Sequence, residues 1–289
     1  MPTLLLRFTI ILEDNSSQTV ARTRARYNMW NLSVGLYTKA GGVPWKLKEF
    51  THTKSFIGIA YGIKKTEAGQ AVLSGLAQIF DEFGEHVSMM SITSEAFGKD
   101  FMLETDGSCH LSEEKIAFLV ERLIEEYKRK IDNPPEKVVM HKTSLFNEAE
   151  KEGIKEIFSK SNTSSYDLIH IMENSLQRLF SSERVAPARG TFWKIDNATA
   201  LLYTTGYVQS LGTYPGIGIP KPIEFHLDES SSKLETIGKE ILALTKMDWN
   251  NAAFMDREPV TTKYASRIVE VLKAGLRPDE VVKDIRYYM

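Results

Sequence analysis

Cysteine is almost absent from this chain: Cys109 is the only one in 289 residues. A single thiol excludes an intrachain disulfide and supplies too few ligands for a cysteine-based zinc site. Such usage fits a reducing cytoplasm, which is the expected location. Long hydrophobic runs are missing too, and nothing approaches the roughly 20 apolar residues of a membrane-spanning helix. The opening stretch, Leu4–Leu12, is interrupted by Arg7 and followed by Glu13 and Asp14. It has no basic leader and no small-residue cleavage site, which argues against a secretory signal. Internal repeats, low-complexity tracts and obvious linkers are likewise lacking. Charge of one sign is also scarce: 36 basic and 38 acidic residues leave a formal net charge of -2. That balance runs mildly against nucleic-acid binding, where basic domains are usual.

Net charge does not report distribution, however. Acidic residues crowd between Glu113 and Glu126, while Arg22, Arg24, Arg26, Lys39, Lys46, Lys48, Lys263 and Arg267 gather elsewhere. Two familiar chemistries fail on spacing. The six histidines form no His-Glu-x-x-His arrangement, and Gly212–Gly218 lacks the Gly-Lys-Ser/Thr ending of a phosphate loop.

Hydrophobic periodicity supplies the coarse architecture. Residues 15–17 can cap a helix that runs to about Lys39 and stops at Ala40-Gly41-Gly42-Val43-Pro44. Ser55–Tyr61 reads as a buried strand, followed by strands at Val87–Thr93 and Phe101–Glu104. Ser112 can cap the clearest helix. Its Ile116, Leu119, Val120, Leu123, Ile124 and Tyr127 recur at three- and four-residue spacing. Asn133-Pro134-Pro135 ends it. A strand at Lys137–Lys142, a polar helix from about Ser144 to Ser159 and a strand at Tyr166–Glu173 come next. Gly190–Asp196 and Thr199–Thr205 read as a hairpin turning on Asp196-Asn197, with a further strand at Pro222–Leu227. Helices near Ser231–Thr245 and Thr261–Ala274 close the chain. The order predicts a mixed α/β sheet.

That order is also the order of the RNase H-like fold, and several phrases resemble one branch of it. Asn31–Leu47 resembles the entry to the PIWI domain of prokaryotic Argonautes. Phe56–Gly62 resembles its first strand and Val138–Phe146 its fourth. Arg189-Gly190-Thr191 and Leu201–Gly206 resemble the segments after it, and Trp249-Asn250 with Pro259–Ile268 its closing motif. The resemblance implies an α/β, RNase H-like mixed sheet flanked by helices over residues 31–289. It makes residues 1–30 the tail of a MID region or the connection from it, the MID itself lying on another chain or cut away.

Active members of that family cleave with an Asp-Glu-Asp set plus a His or Asp. Such a set holds two divalent cations roughly 3.5–4 Å apart against a phosphodiester, and hard cations want several oxygen ligands. The positions matching the acids here are Ala60, Thr143 (after His141-Lys142) and Ser266 (in Lys263-Tyr264-Ala265-Ser266). No Asp or Glu adjoins any of them. The family's mobile glutamate has two candidates, Glu95 and Glu104. The resemblance therefore implies a catalytically inactive PIWI module, not an enzyme, that binds a guide–target duplex.

The expected nucleic-acid contacts are Lys142 beside the vacated centre, Arg189, Lys246, Asn250, and the closing helix with Lys263, Tyr264 and Arg267. Lys263 and Arg267 are four apart, hence on one helix face. The resemblance also implies that the carboxylate of Met289 helps hold a structural Mg²⁺ at the guide's 5′ phosphate. The implied partners are a guide RNA or DNA and a complementary target, expected to be DNA. A MID-containing chain, or a TIR, sirtuin-like or nuclease effector acting in defence, completes the set, with no membrane involved. Two alternatives stay open: an RNase H-like nuclease with displaced ligands, and a structural partner subunit.

Overall fold

The computed structural model describes residues 18–48, 54–65, 71–94, 100–104, 108–132, 134–161, 163, 165–180, 186–209, 212, 214, 219–250 and 256–289. The opening apolar stretch, its capping residues 15–17 and Glu95 lie outside the described residues. In chain order the elements begin with α1 (Gln18–Lys39), β1 (Lys54–Lys65), β2 (Ala71–Phe80), β3 (His86–Ser94), β4 (Phe101–Leu103) and β5 (Cys109–Leu111). Then come α2 (Glu113–Ile131), β6 (Lys137–Lys142), α3 (Glu148–Lys160), β7 (Ser165–Met172), β8 (Phe192–Lys194) and β9 (Thr199–Leu202). The chain closes with β10 (Ile223–Glu229), α4 (Leu234–Leu244), α5 (Val260–Ala274) and two 3₁₀ turns, Pro278–Glu280 and Ile285–Tyr287.

Among the described residues, eight strands form one sheet in the order β3-β2-β1-β6-β7-β10-β9-β8. The central strands β1, β6 and β7 run parallel, and the flanking pairs are antiparallel. The small hairpin β4–β5 stands apart. This is the mixed sheet expected from the sequence. Strand β1 is apolar on both faces because both are covered. Phe56 and Ala60 join the core with α4, α5 and the C-terminus, while Ile57 and Ile59 join a second core with α2 and α3. The apolar stripe of α2 is buried as its spacing implies. Each of those large side chains contributes roughly 1.5–3 kcal/mol of transfer free energy.

Several features depart from the sequence reading. Strand β2 has no counterpart there: Ser74, Gly75 and Gln78 dilute its apolar pattern, yet Ser74 and Gln78 are fully buried between β1 and β3. The three-residue β5 is too short to show periodicity. Helix α3 starts at Glu148, not near Ser144, because Asn147 and Glu150 form a reciprocal capping box there. Ser112 precedes α2 but makes no side-chain cap; its backbone carbonyl accepts from Lys115 and Ile116. Helix α1 runs unbroken through residue 30 to Lys39, the end the sequence predicts for it.

Alternation along β1 decides which of its residues meet α5. Phe56, Gly58, Ala60 and Gly62 turn toward that helix. A Cβ on Gly58 would collide with the Thr261 backbone carbonyl, and one on Gly62 would meet Val269 at 2.5 Å. This file of small residues lets α5 lie close across β1 and β2.

Candidate functional site

The register pairs Ile59 with Lys142 as the last partners of the parallel β1–β6 ladder. Ala60, still on β1, and Thr143, just past β6, are therefore the next residues beyond that ladder. Ser266 lies in the second turn of α5, the helix that crosses β1 and also touches β6. The fold thus brings β1, β6 and α5, which carry or adjoin the three matched positions, into contact. Ala60 is 1% exposed in the core, and Thr143 and Ser266 are partly exposed. None of the three carries a carboxylate. Glu104 is half-exposed, with its carboxylate 3.8 Å from His110 and 3.4 Å from the Asn147 amide.

The start of α5 is fastened from beneath. Gln78 Nε2 donates to the Thr261 carbonyl at 2.6 Å, and His141 Nδ1 lies 2.9 Å from Thr261 Oγ1. Burial pushes the His141 imidazole down to about 3, against a raising influence from Asp167, so it is neutral.

Lys142 sits elsewhere than expected. Side chains alternate along β6, so His141 faces α5 while Lys142 points through the opposite face. There its ammonium is fully buried, paired with Glu150 and donating to the Leu145 carbonyl at 3.0 Å. Glu150 Oε1 also accepts from Tyr61 Oη at 2.9 Å and from the Leu111 amide at 3.1 Å, and Oε2 meets His110 Nδ1 at 3.1 Å. Burial pushes the Glu150 carboxyl up, but hydrogen bonds from His110 and Lys142 and the Lys142 charge outweigh it and leave it below the usual range. Lys142 is thus a core cation without a surface to offer a phosphate.

The closing helix also separates its expected cluster. Lys263 is buried and paired with both Asp248 and Asp256. Tyr264 is fully buried and donates to Asp248 Oδ1 at 2.8 Å. Lys263 and Tyr264 therefore fasten α5 to the segment after α4, and only Arg267 of the three is exposed. Its guanidinium stands 5.2 Å from the Tyr264 ring centroid. Arg189 is half-buried and donates to the Leu242 carbonyl at 3.3 Å and Thr245 Oγ1 at 2.8 Å, pinning the end of α4. Lys246 and Asn250 are exposed, and the Lys246 carbonyl accepts from Trp45 Nε1 at 2.8 Å. The exposed remainder of the expected set is Arg267, Lys246 and Asn250.

The C-terminus is anchored, not frayed. Met289 packs on the core, and its N–H reaches the Ile285 carbonyl at 3.2 Å. With Phe80, His86, Lys130, Trp249 and Arg286 it lines a half-open cavity of about 210 Å³. Sequence reasoning missed the acids that consume the basic residues. Glu150 was findable from its spacing to Asn147, whereas Asp248 and Asp256 meet Lys263 only through the tertiary fold.

Sheet order and the crossing helix α5 define an RNase H-like fold. On sequence, the chain is similar to the Argonaute protein of Aquifex aeolicus, with 23% identity over 275 residues. That match covers 94% of this chain but 35% of the relative, so the chain spans about a third of its length. On structure it is similar to the crystal structure of A. aeolicus Argonaute, with a TM-score of 0.65 and 22% identity, covering 88% of this chain and 33% of that one. It is also similar to Clostridium butyricum Argonaute bound to a guide DNA and a 19-mer target DNA, with a TM-score of 0.66 and 19% identity, covering 90% of this chain and 32% of that one. No protein-family model matches the chain. The fold is thus the RNase H-like fold of the PIWI-containing regions of these Argonautes. Among the described residues, no helix is long and apolar enough to cross a membrane.

Proposed function

We propose that this chain is the non-cleaving PIWI module of a guide-directed system, holding a guide–target duplex without cutting the target. The observation that carries the proposal is the residue set at the end of the β1–β6 ladder. Ala60 has no donor atom, and the hydroxyls of Thr143 and Ser266 are weak, neutral ligands. Two divalent cations need carboxylates to offset their charge. The solved relative bound to guide and target DNA supports a duplex as ligand, with DNA as the expected target.

The surface for that duplex is reduced from the one expected on sequence. Arg267, Lys246 and Asn250 remain to meet backbone phosphates, so each charged contact carries more of the affinity. The anchored C-terminus fits a further contact. Asp284 and Arg286 pair with each other beside it, at 2.6–2.9 Å, which leaves the Met289 carboxylate as the ligand this chain would offer a Mg²⁺. A cation bound there would offset the charge of a guide's 5′ phosphate against that carboxylate. The remaining ligands would come from the guide and a MID region on the same or another chain. Signalling to a TIR, sirtuin-like or nuclease effector, in defence against invading DNA, is the role this reading assigns.

Filter binding of a preformed guide–target duplex at two salt concentrations tests the proposal. Affinity should fall steeply with salt as phosphate contacts are screened, and Arg267→Glu should weaken it further. Absence of binding, with or without a MID-containing partner, would leave a structural partner subunit as the better reading.

A further inference from the structure

The residues that follow α4 alternate between core and surface. Met247 and Trp249 are buried in the core that α5 covers, while Lys246 and Asn250 are exposed. Asp248 stands between them, 5% exposed, and turns to α5 instead of to solvent. Its Oδ1 accepts the Asn250 N–H at 3.0 Å and Tyr264 Oη at 2.8 Å, and its Oδ2 pairs with Lys263. One carboxylate therefore ties the segment carrying Lys246 and Asn250 to the helix carrying Arg267. Burial pushes the Asp248 carboxyl up, but the hydrogen bond and charge of Lys263, the Tyr264 hydroxyl and the Asn250 N–H outweigh it and leave it below the usual range. It is ionised at neutral pH, and hydrogen bonds to an ionised acceptor are roughly twice as strong as neutral ones.

The joint reaches each of the exposed groups. The Arg267 guanidinium stands 5.2 Å from the centroid of the Tyr264 ring, whose hydroxyl Asp248 holds. A guanidinium over an aromatic face is attracted and oriented by it. Asn250 is bonded to Asp248 directly through its backbone. Lys246 is fixed on its other side, where its carbonyl accepts from Trp45 Nε1 at 2.8 Å. The Asp256 N–H donates to the Thr245 carbonyl at 3.0 Å, and Asp256 shares Lys263 with Asp248. The base of the loop is thus closed on α5.

We propose that Asp248 is a positioning residue for nucleic-acid binding: it meets no phosphate itself, and it holds Lys246, Asn250 and Arg267 on one surface so that they engage the duplex backbone together. The inference rests on the duplex-binding reading above. It gives Lys263 and Tyr264 a part as well, as the partners that keep this carboxylate in place. Contacts held in their bound arrangement do not have to be ordered on association, which favours affinity. Because Lys263 faces the carboxylate, the duplex meets no unpaired acid there.

The test uses the purified full chain, with a MID-containing partner where binding requires one. Filter binding of a guide–target duplex over a range of salt concentrations gives affinity and its salt slope. Lys246→Ala removes one phosphate contact and should reduce the slope by about 0.9. Asp248→Ala should reduce it at least as much and weaken binding. Charge alone predicts the opposite, since removing an acid near phosphates favours the complex. Lys263 stays paired with Asp256 in that variant, so no cation is stranded. Adding Lys246→Ala to Asp248→Ala should cost far less than Lys246→Ala alone, the non-additivity expected of coupled residues. Asp248→Asn keeps an acceptor for the Asn250 N–H and the Tyr264 hydroxyl, and should restore most of the affinity. Circular dichroism establishes folding; should Asp248→Ala not fold, Tyr264→Phe, which removes only the hydroxyl and keeps the ring beside Arg267, carries the test in the same cycle with Arg267→Ala. Binding unchanged or strengthened in the folded variants, or additive losses in the cycle, overturns the proposal. A wild-type chain that binds no duplex would instead remove the reading beneath it.

Discussion

Replacing Glu150 by alanine should be among the most damaging single changes in this domain. The carboxylate is fully buried, and so is the Lys142 ammonium it holds. The same side chain caps α3 and accepts from Tyr61 Oη and the Leu111 amide. Its removal strands a buried cation, which typically costs about 3–5 kcal/mol. At roughly 2–4 °C per kcal/mol for a domain of this general size, the melting temperature should fall by about 6–20 °C. The double variant Lys142→Met with Glu150→Gln removes the stranded charge while keeping a polar cap, and should recover part of the loss. The pH dependence has a definite sign. The Glu150 carboxyl is depressed in the folded chain, so its contribution is present above the unperturbed value of 4.5 and is lost as pH falls through the folded value. Thermal melts of wild type, single and double variants, from neutrality into that acid range, measure all of this. A Glu150→Ala variant melting within a degree or so of wild type would refute the assignment of Lys142 to the core.

Three further outcomes rest on the same geometry. Gly58→Ala should destabilise by about 1–3 kcal/mol or more, since the new methyl group meets the Thr261 backbone and not a yielding side chain; a denaturant midpoint measures it. Lys263→Ala should lower the melting temperature by stranding Asp248 and Asp256, whereas Arg267→Ala should leave it unchanged and weaken duplex binding; calorimetry and filter binding separate the two. Residues appended after Met289 should weaken binding of 5′-phosphorylated guides relative to 5′-hydroxyl guides, and equal affinity for both would remove the terminal carboxylate as a metal ligand.

Legibility in the sequence tracked the length and regularity of each signal. The apolar stripe of α2 and the closed run of β6 were plain, because burial on one stripe or on both faces imposes a pattern on side chains. Strand β2 was not, because Ser74, Gly75 and Gln78 break its apolar pattern and yet are buried between two neighbouring strands, with Gln78 donating to the α5 backbone. The matched positions Ala60, Thr143 and Ser266 were legible as phrases, and the fold brings their elements together. The basic contacts were legible only as residue types. Whether a lysine faces solvent or a carboxylate depends on partners distant in sequence: eight residues for Lys142 and Glu150, fifteen for Lys263 and Asp248. Strand alternation could have warned that Lys142 and His141 face opposite ways.

A non-cleaving PIWI module should hold the duplex and leave the target uncut. The most direct test is a guide-loaded complex, assembled with whatever MID-containing partner it requires, given an end-labelled matched target with Mg²⁺ or Mn²⁺. The target should be retained and recovered at full length. Guide-directed cleavage at a fixed position, persisting through repurification, would contradict it.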